Sequence, residues 1–203
     1  CLAADPLSAT SLRSFAPSGR LKAGVRPHNL AMLYLKCTQE VQKVVGLRKE
    51  NLASPEPSDA PLGNWYVNRF NLGRRKAYIF MSETTLLSFI LLQGKKPVTT
   101  ESLPNMLLAG LEQLLQMKGL ATSAMEKAFE HYDAGLYAKT DSRSDLGSLN
   151  DLINHYQWRV EGEGGLTHCD LSGIIMSIND MPQRRIGWQT SWNVVQGKLC
   201  LPN

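Results

Sequence analysis

The residues best suited to chemistry lie between positions 142 and 161. Ser148, Asp151 and His155 are the three side-chain types that serine hydrolases combine. On a helix Asp151 and His155 are one turn apart and can meet. Ser148 is seven residues before His155, about 10 Å along a helix axis, whereas a nucleophile and its base need about 3 Å. These three candidate catalytic residues therefore indicate a hydrolase only if a serine from elsewhere, such as Ser82, or a metal-bound water joins them.

A binding surface is the alternative use of the same region. Polar side chains crowd the segment from Arg143 to Trp158, and tryptophan and arginine dominate binding hot spots. The candidate ligand- or partner-binding residues are Trp65, Tyr66, Asn68, Arg69, Arg143, Asn150 and Trp158. The chain has no phosphate loop, no GxGxxG motif and no GxSxG elbow. We therefore expect a module that binds a protein or a small-molecule ligand, with the hydrolase of unfamiliar type as the alternative.

The charge distribution argues against a nucleic-acid partner. Of 22 basic and 18 acidic side chains, four basic and one acidic fall within residues 1–30, so the rest of the chain is nearly neutral. Such a body lacks the broad positive field that draws a protein onto nucleic acid. Binding of nucleic acid through the basic residues from Arg69 to Lys76 is the weakest of the three hypotheses.

The four cysteines bear on cofactors and on cellular location. Cys1, Cys37, Cys169 and Cys200 form no CxxC pair and no disulfide pattern typical of secreted domains. We expect free thiols in a reducing, cytoplasmic compartment. Close ligand pairs for zinc are missing from the sequence, so no metal or other cofactor is predicted. No apolar run approaches the roughly 18 residues of a membrane span.

These residues must be positioned by a small α+β fold. Alternation of apolar and polar residues predicts a strand at 32–37, and aromatic and β-branched residues predict strands at 64–72 and 76–82. The apolar run at 86–92 fits either a strand or a helix. Helical spacing predicts helices near 103–118, 123–137, 146–161 and 171–179. Because strands precede helices, we expect an antiparallel or mixed sheet packed against three to four helices.

The two ends of the chain differ from its middle. Residues 1–31 are rich in Ala, Ser, Pro, Gly and Arg without periodicity, and we interpret them as a leader, a fusion or an upstream-translated tail. Residues 32–188 are expected to form a single domain. Residues 189–203 are interpreted as a C-terminal extension, with a hairpin as one option.

Several segments resemble the motifs of a bacterial family described as a domain of unknown function. LGNWYVNRFNLGRRKAYIFMSETTLLSFIL resembles its LGxWYAN…RRK…TLFSF core, and KTDSRSDLGSLNDLINHYQWRVE resembles its SRSxLGSxNDLxxHYxW stretch. The resemblance covers about residues 32–188. Asp145 departs from it, because the family pattern has an apolar residue there. The resemblance implies a shared fold, but it implies no activity, ligand or cofactor.

Overall fold

The computed structural model describes residues 33–132 and 135–199. The strands are β1 (Leu33–Cys37), β2 (Trp65–Leu72), β3 (Arg75–Ser82), β4 (Ser88–Leu92), β5 (Gly135–Lys139), β6 (Pro182–Gln183) and β7 (Gln189–Thr190). The helices are α1 (Gln39–Val45), α2 (Ser102–Lys118), α3 (Thr122–Ala128), α4 (Arg143–Gly162), α5 (Leu171–Asn179) and α6 (Ser191–Leu199). Single 3-10 turns lie at Lys49–Asn51 and Arg184–Ile186. The predicted tail at 1–31 lies outside the described residues.

The main sheet is mixed and has the strand order β4-β3-β2-β1-β5. β2, β3 and β4 are antiparallel neighbours, whereas β1 runs parallel to both β2 and β5. Gly73 adopts a φ of +57° in the β2–β3 turn, a conformation that favours glycine. The predicted α+β class is confirmed, and the ambiguous apolar run at 86–92 contains strand β4.

One predicted element is wrong. The helix expected at 123–137 ends at Ala128, and Gly135–Lys139 forms the edge strand β5 instead. β5 pairs in parallel with the whole of β1, and Ala138 is fully buried. A short apolar segment can form a helix or a strand, so its local sequence does not determine which. Pairing with β1, which is distant in the chain, determines that residues 135–139 form a strand.

Helices cover both faces of the sheet, and each face has its own core. Alternate residues along β2 point to opposite sides, so Trp65 and Val67 join the core under α2 while Tyr66 joins the core under α4. All three side chains are fully buried. The alternation along β2 therefore determines which side chains can reach the surface that α4 presents.

Ser191–Leu199, within the predicted C-terminal extension, forms helix α6 rather than the hairpin considered from the sequence, and residues 200–203 lie outside the described part of the chain. Trp192, Val195 and Leu199 follow helical spacing, and all three are buried in the core that contains α2 and α3. This packing stabilises the helical form over two short strands. Within the described part of the chain, no helix is both long and apolar enough to cross a membrane.

Candidate functional site

Helix α4 presents one apolar face and one polar face, as its sequence predicts. The Ser142 side chain accepts a hydrogen bond of 3.1 Å from the Asp145 amide and caps the helix. Leu149, Tyr156 and Val160 are buried against the sheet and α5. Because the apolar face of α4 packs against the core, its polar face is available to line a cavity.

A groove of about 570 Å³ runs between α4 and the segment that follows α5. The groove brings together Ser148, Asp151 and His155 from α4 with residues of the β6–β7 hairpin, which we define as residues 182–190. Its full lining is Ser144, Gly147, Ser148, Asp151, Leu152, His155, Ile178, Met181, Pro182, Gln183, Arg184 and Arg185. The three candidate catalytic residues therefore share one concave surface, which also contains two arginines that sequence reasoning did not select.

Sharing the groove does not make these residues a hydrolytic triad. Among the described residues, Ser148, Asp151 and His155 make no hydrogen bond to one another. The imidazole of His155 instead makes an edge-on contact with the Trp158 ring, with 5.7 Å between ring centroids. No group of three or more His, Cys, Asp or Glu side chains that could hold a metal ion is found in residues 33–132 and 135–199.

Below the groove lies a buried polar network that begins at Asp145. This carboxylate is 1% exposed and forms an ion pair with Arg185. The Tyr66 hydroxyl lies 3.3 Å from Asp145 and donates a 2.5 Å hydrogen bond to Asp141. Burial and the contact with Asp141 raise the pKa of Tyr66, so its hydroxyl keeps its proton and remains a donor. Asp145 is thus held by partners from β2 and the β6–β7 hairpin.

Lys36 completes this network at the end of β1. Its amine is 2.8 Å from Glu83 and 2.9 Å from Asp141, and the residue is only 2% exposed. Burial opposes the charge on Lys36, but hydrogen bonds to the two carboxylates outweigh it and raise the pKa of the amine. Partial burial likewise opposes the charge on Asp141, yet hydrogen bonds from Tyr66 and Lys36 lower the pKa of that carboxyl. Lys36 and Asp141 therefore keep their charges at neutral pH.

The network separates the groove from a second cavity of about 400 Å³. Lys36, Glu83 and Asp141 line that second cavity, and Arg185 lines both. Sequence reasoning missed these residues because Lys36 lies 47 positions from Glu83 and 105 from Asp141. The one local signal was a lysine between the core residues of β1.

The candidate binding residues on β2 do not reach the groove. Trp65 is fully buried, and its indole donates a 2.7 Å hydrogen bond to the Tyr132 hydroxyl. Asn68 accepts a hydrogen bond from Thr38. Arg69 pairs with Glu40 at 3.0 Å and also bonds Gln93. Trp65 packs in the core, and Asn68 and Arg69 connect β2 to neighbouring elements, so none of the three lines the groove.

The candidate residues on α4 are accessible. Arg143, Asn150 and Trp158 are exposed, and Trp158 retains 65% of its accessible surface. Trp188, in the β6–β7 hairpin, is 70% exposed and was not selected from the sequence. Large exposed aromatic side chains are unusual on a protein surface and commonly mark contact sites.

Fold and groove together define a mixed-sheet α+β domain with an open, polar groove along one helix. Residues 34–194 match the family described as Domain of unknown function (DUF6933), and the chain belongs to this family. No curated protein matches the chain. Among solved structures, the catalytic core domain of BIV integrase is similar over 64% of this chain and 91% of that one, with a TM-score of 0.42 and 10% identity. A likeness at this level supports no statement about activity.

Proposed function

We propose that this domain is a binding module that holds a partner molecule in the groove between α4 and the β6–β7 hairpin. The observation that carries the proposal is the convergence of Ser148, Asp151 and His155 with Arg184 and Arg185 on one concave surface. Concave surfaces with a few convergent polar groups are the usual form of ligand sites. Binding is favoured over hydrolysis because the hydroxyl, the carboxylate and the imidazole make no hydrogen bond to one another.

The groove has the mixed chemistry that recognition needs. Leu152, Ile178 and Met181 supply apolar wall, while serine hydroxyls, a carboxylate and guanidinium groups supply donors and acceptors. The basic segment from Arg69 to Lys76 is less suitable as a site, because Arg69 is already paired with Glu40.

A cytoplasmic location is part of this proposal. Cys169 is a free thiol, as a reducing compartment would keep it. Recovery of Cys169 as a disulfide from thiol-trapped cells would contradict this location.

The proposal is tested by closing the groove. Amide chemical shifts of the isotope-labelled chain are recorded with mixtures of peptides and of small polar molecules. We expect binders to shift groove residues, and Ser148→Trp to abolish those shifts by filling the space. His155→Ala should weaken the same binders without changing the urea midpoint, since its imidazole is only half-buried.

Asn154→Trp is the matched control, because residue 154 is exposed on α4 but does not line the groove. This variant should bind as the wild type does. Binders that bind Ser148→Trp with unchanged affinity, or that shift resonances only elsewhere, would refute the assignment of the groove. The same conclusion would follow if none of the mixtures shifted groove resonances at millimolar concentration.

A further inference from the structure

The groove residues of α4 belong to a longer stripe along the helix. Positions 144, 148, 151, 155 and 158 follow a spacing of four, three, four and three residues, so they share one helix face. At 1.5 Å per residue the stripe is about 21 Å long, which matches about six residues of an extended chain. The contact between His155 and Trp158 continues the stripe beyond the cavity. A surface of this length suits a peptide segment better than a compact metabolite.

Each of the two elements that form the groove, α4 and the β6–β7 hairpin, carries one exposed tryptophan outside the lining itself. Trp158 belongs to α4, and the backbone amide of Trp188 bonds the carbonyl of Gln183, which lines the groove. Trp188 also has a φ of +62°, an unfavourable conformation for a bulky residue, and its exposed side chain gains no core packing in return. Backbone strain of this kind is concentrated at functional sites. These two indoles are therefore suitable anchors for apolar side chains of a bound segment.

The groove contains one arginine that is available to a carboxylate of an acidic segment. Arg184 and Arg185 line it against the single carboxylate of Asp151. Arg185 already neutralises buried Asp145, whereas Arg184 forms no ion pair with any described residue. The guanidinium of Arg184 is thus available for a carboxylate from a partner, with fork geometry that suits two parallel hydrogen bonds.

We infer that the groove binds a short acidic segment of a partner protein, with carboxylates opposite Arg184 and an apolar or aromatic residue against Trp158. This inference rests on the proposed function and names the ligand class of the same site. The occupant presents a neutral or donor group to Asp151, since a carboxylate there would be repelled. A chain of six to eight residues, about 20–28 Å when extended, spans the stripe.

The test selects ligands without assuming their sequence. A phage library of random octapeptides is panned on the full chain, and the best peptides are synthesised with a fluorescent label for anisotropy. We expect enrichment of Asp and Glu together with an aromatic or large aliphatic residue. Arg184→Glu and Trp158→Ala should each weaken binding by about tenfold or more, as expected for hot-spot residues. Asn154→Ala is the control and should change the affinity less than about twofold.

A charge swap gives the most specific result. Peptides whose acidic residues are replaced by lysine should fail on the wild type and gain affinity on Arg184→Glu, because both signs are then reversed. Selection of basic or uncharged peptides, or an unaffected affinity in Arg184→Glu, would overturn the acidic-segment inference alone. If selected peptides still bind Ser148→Trp, the groove is not the binding site. Small molecules that shift groove resonances while no peptide is selected would leave the binding function standing without this inference.

Discussion

At the scale of single residues, Lys36 is the most consequential side chain outside the groove. It alternates with Leu35 and Cys37 on β1, so it points to the opposite face, toward the network of buried charges. The two carboxylates it bonds would repel each other without it. Only Lys36 is buried in this network, whereas the side chains of Glu83 and Asp141 keep 27% and 41% of their accessible surface, so water can partly replace a lost lysine.

We predict that Lys36→Met lowers the free energy of unfolding by about 1–3 kcal/mol at pH 7, because two partly exposed carboxylates lose their shared hydrogen-bond donor. Urea unfolding followed by circular dichroism measures the change. Lys95→Met is the control, since residue 95 is exposed, and it should stay within about 0.5 kcal/mol of the wild type.

The defect of Lys36→Met should depend on pH. In the wild type the pKa of Asp141 is lowered, so its contribution to stability is present above about pH 4 and is lost as the pH falls through its folded pKa. The raised pKa of Lys36 preserves its contribution below about pH 10.4, and the contribution fades as the pH rises through the folded value. In the variant, Asp141 has lost its hydrogen bond from Lys36 while Glu83 still repels it, so the pKa of Asp141 should rise. Protonation of this carboxylate then relieves the repulsion, so the loss in the free energy of unfolding should become smaller between pH 6 and pH 4. A loss that does not change with pH would contradict this explanation.

At the scale of elements, the close packing of α2 on the sheet depends on a glycine, Gly110. A methyl group added at Gly110 would overlap the ring of Phe89 on β4. That ring is 2% exposed and stacks on Phe80 with 5.2 Å between centroids, so it has little room to move. Gly110 therefore allows α2 to approach the strand closely.

The same substitution should have opposite effects on two helices. Gly110→Ala should destabilise the protein by about 1–3 kcal/mol, because overpacking outweighs the gain in helix propensity. Gly147→Ala on α4 meets no atom within 4 Å and should stabilise it by about 0.5–1 kcal/mol. Urea midpoints measure both variants, and adding Phe89→Leu to Gly110→Ala should recover part of the loss. If both substitutions changed the free energy of unfolding in the same direction, α2 would not pack against Phe89 as described.

At the scale of the whole molecule, the last described helix is part of the fold. Trp192 of α6 is 1% exposed, and the Lys118 amine lies 4.9 Å from the centre of its indole ring. Lys118 also pairs with Asp180 at the end of α5, at 3.5 Å. Lys118 of α2 thus contacts both α6 and the end of α5.

Two tryptophans four positions apart should therefore behave differently. We predict a loss of about 3–5 kcal/mol for Trp192→Ala, since it empties a site in the core. Trp188→Ala should change the free energy of unfolding by less than about 0.5 kcal/mol while weakening binding of selected peptides. Thermal and urea unfolding by circular dichroism compare the two. A small effect of Trp192→Ala would mean that α6 is dispensable to the fold.

The sequence by itself determined the local features of this protein. Alternation and the content of aromatic and β-branched residues predicted three strands of the main sheet, and helical periodicity placed Ser148, Asp151 and His155 away from the apolar face of α4. Short-range patterns succeed here because each of these segments has a repeating apolar face that a core can bury.

Only the tertiary structure decided which distant residues meet. It turned the end of a predicted helix into β5, buried Trp65, brought Arg184 to the groove and enclosed Lys36 between two carboxylates. These outcomes depend on strand order and on pairs of residues far apart in the chain, where no local period carries a signal. Burial then sets the chemistry, because a charge removed from water must find its partners within the fold.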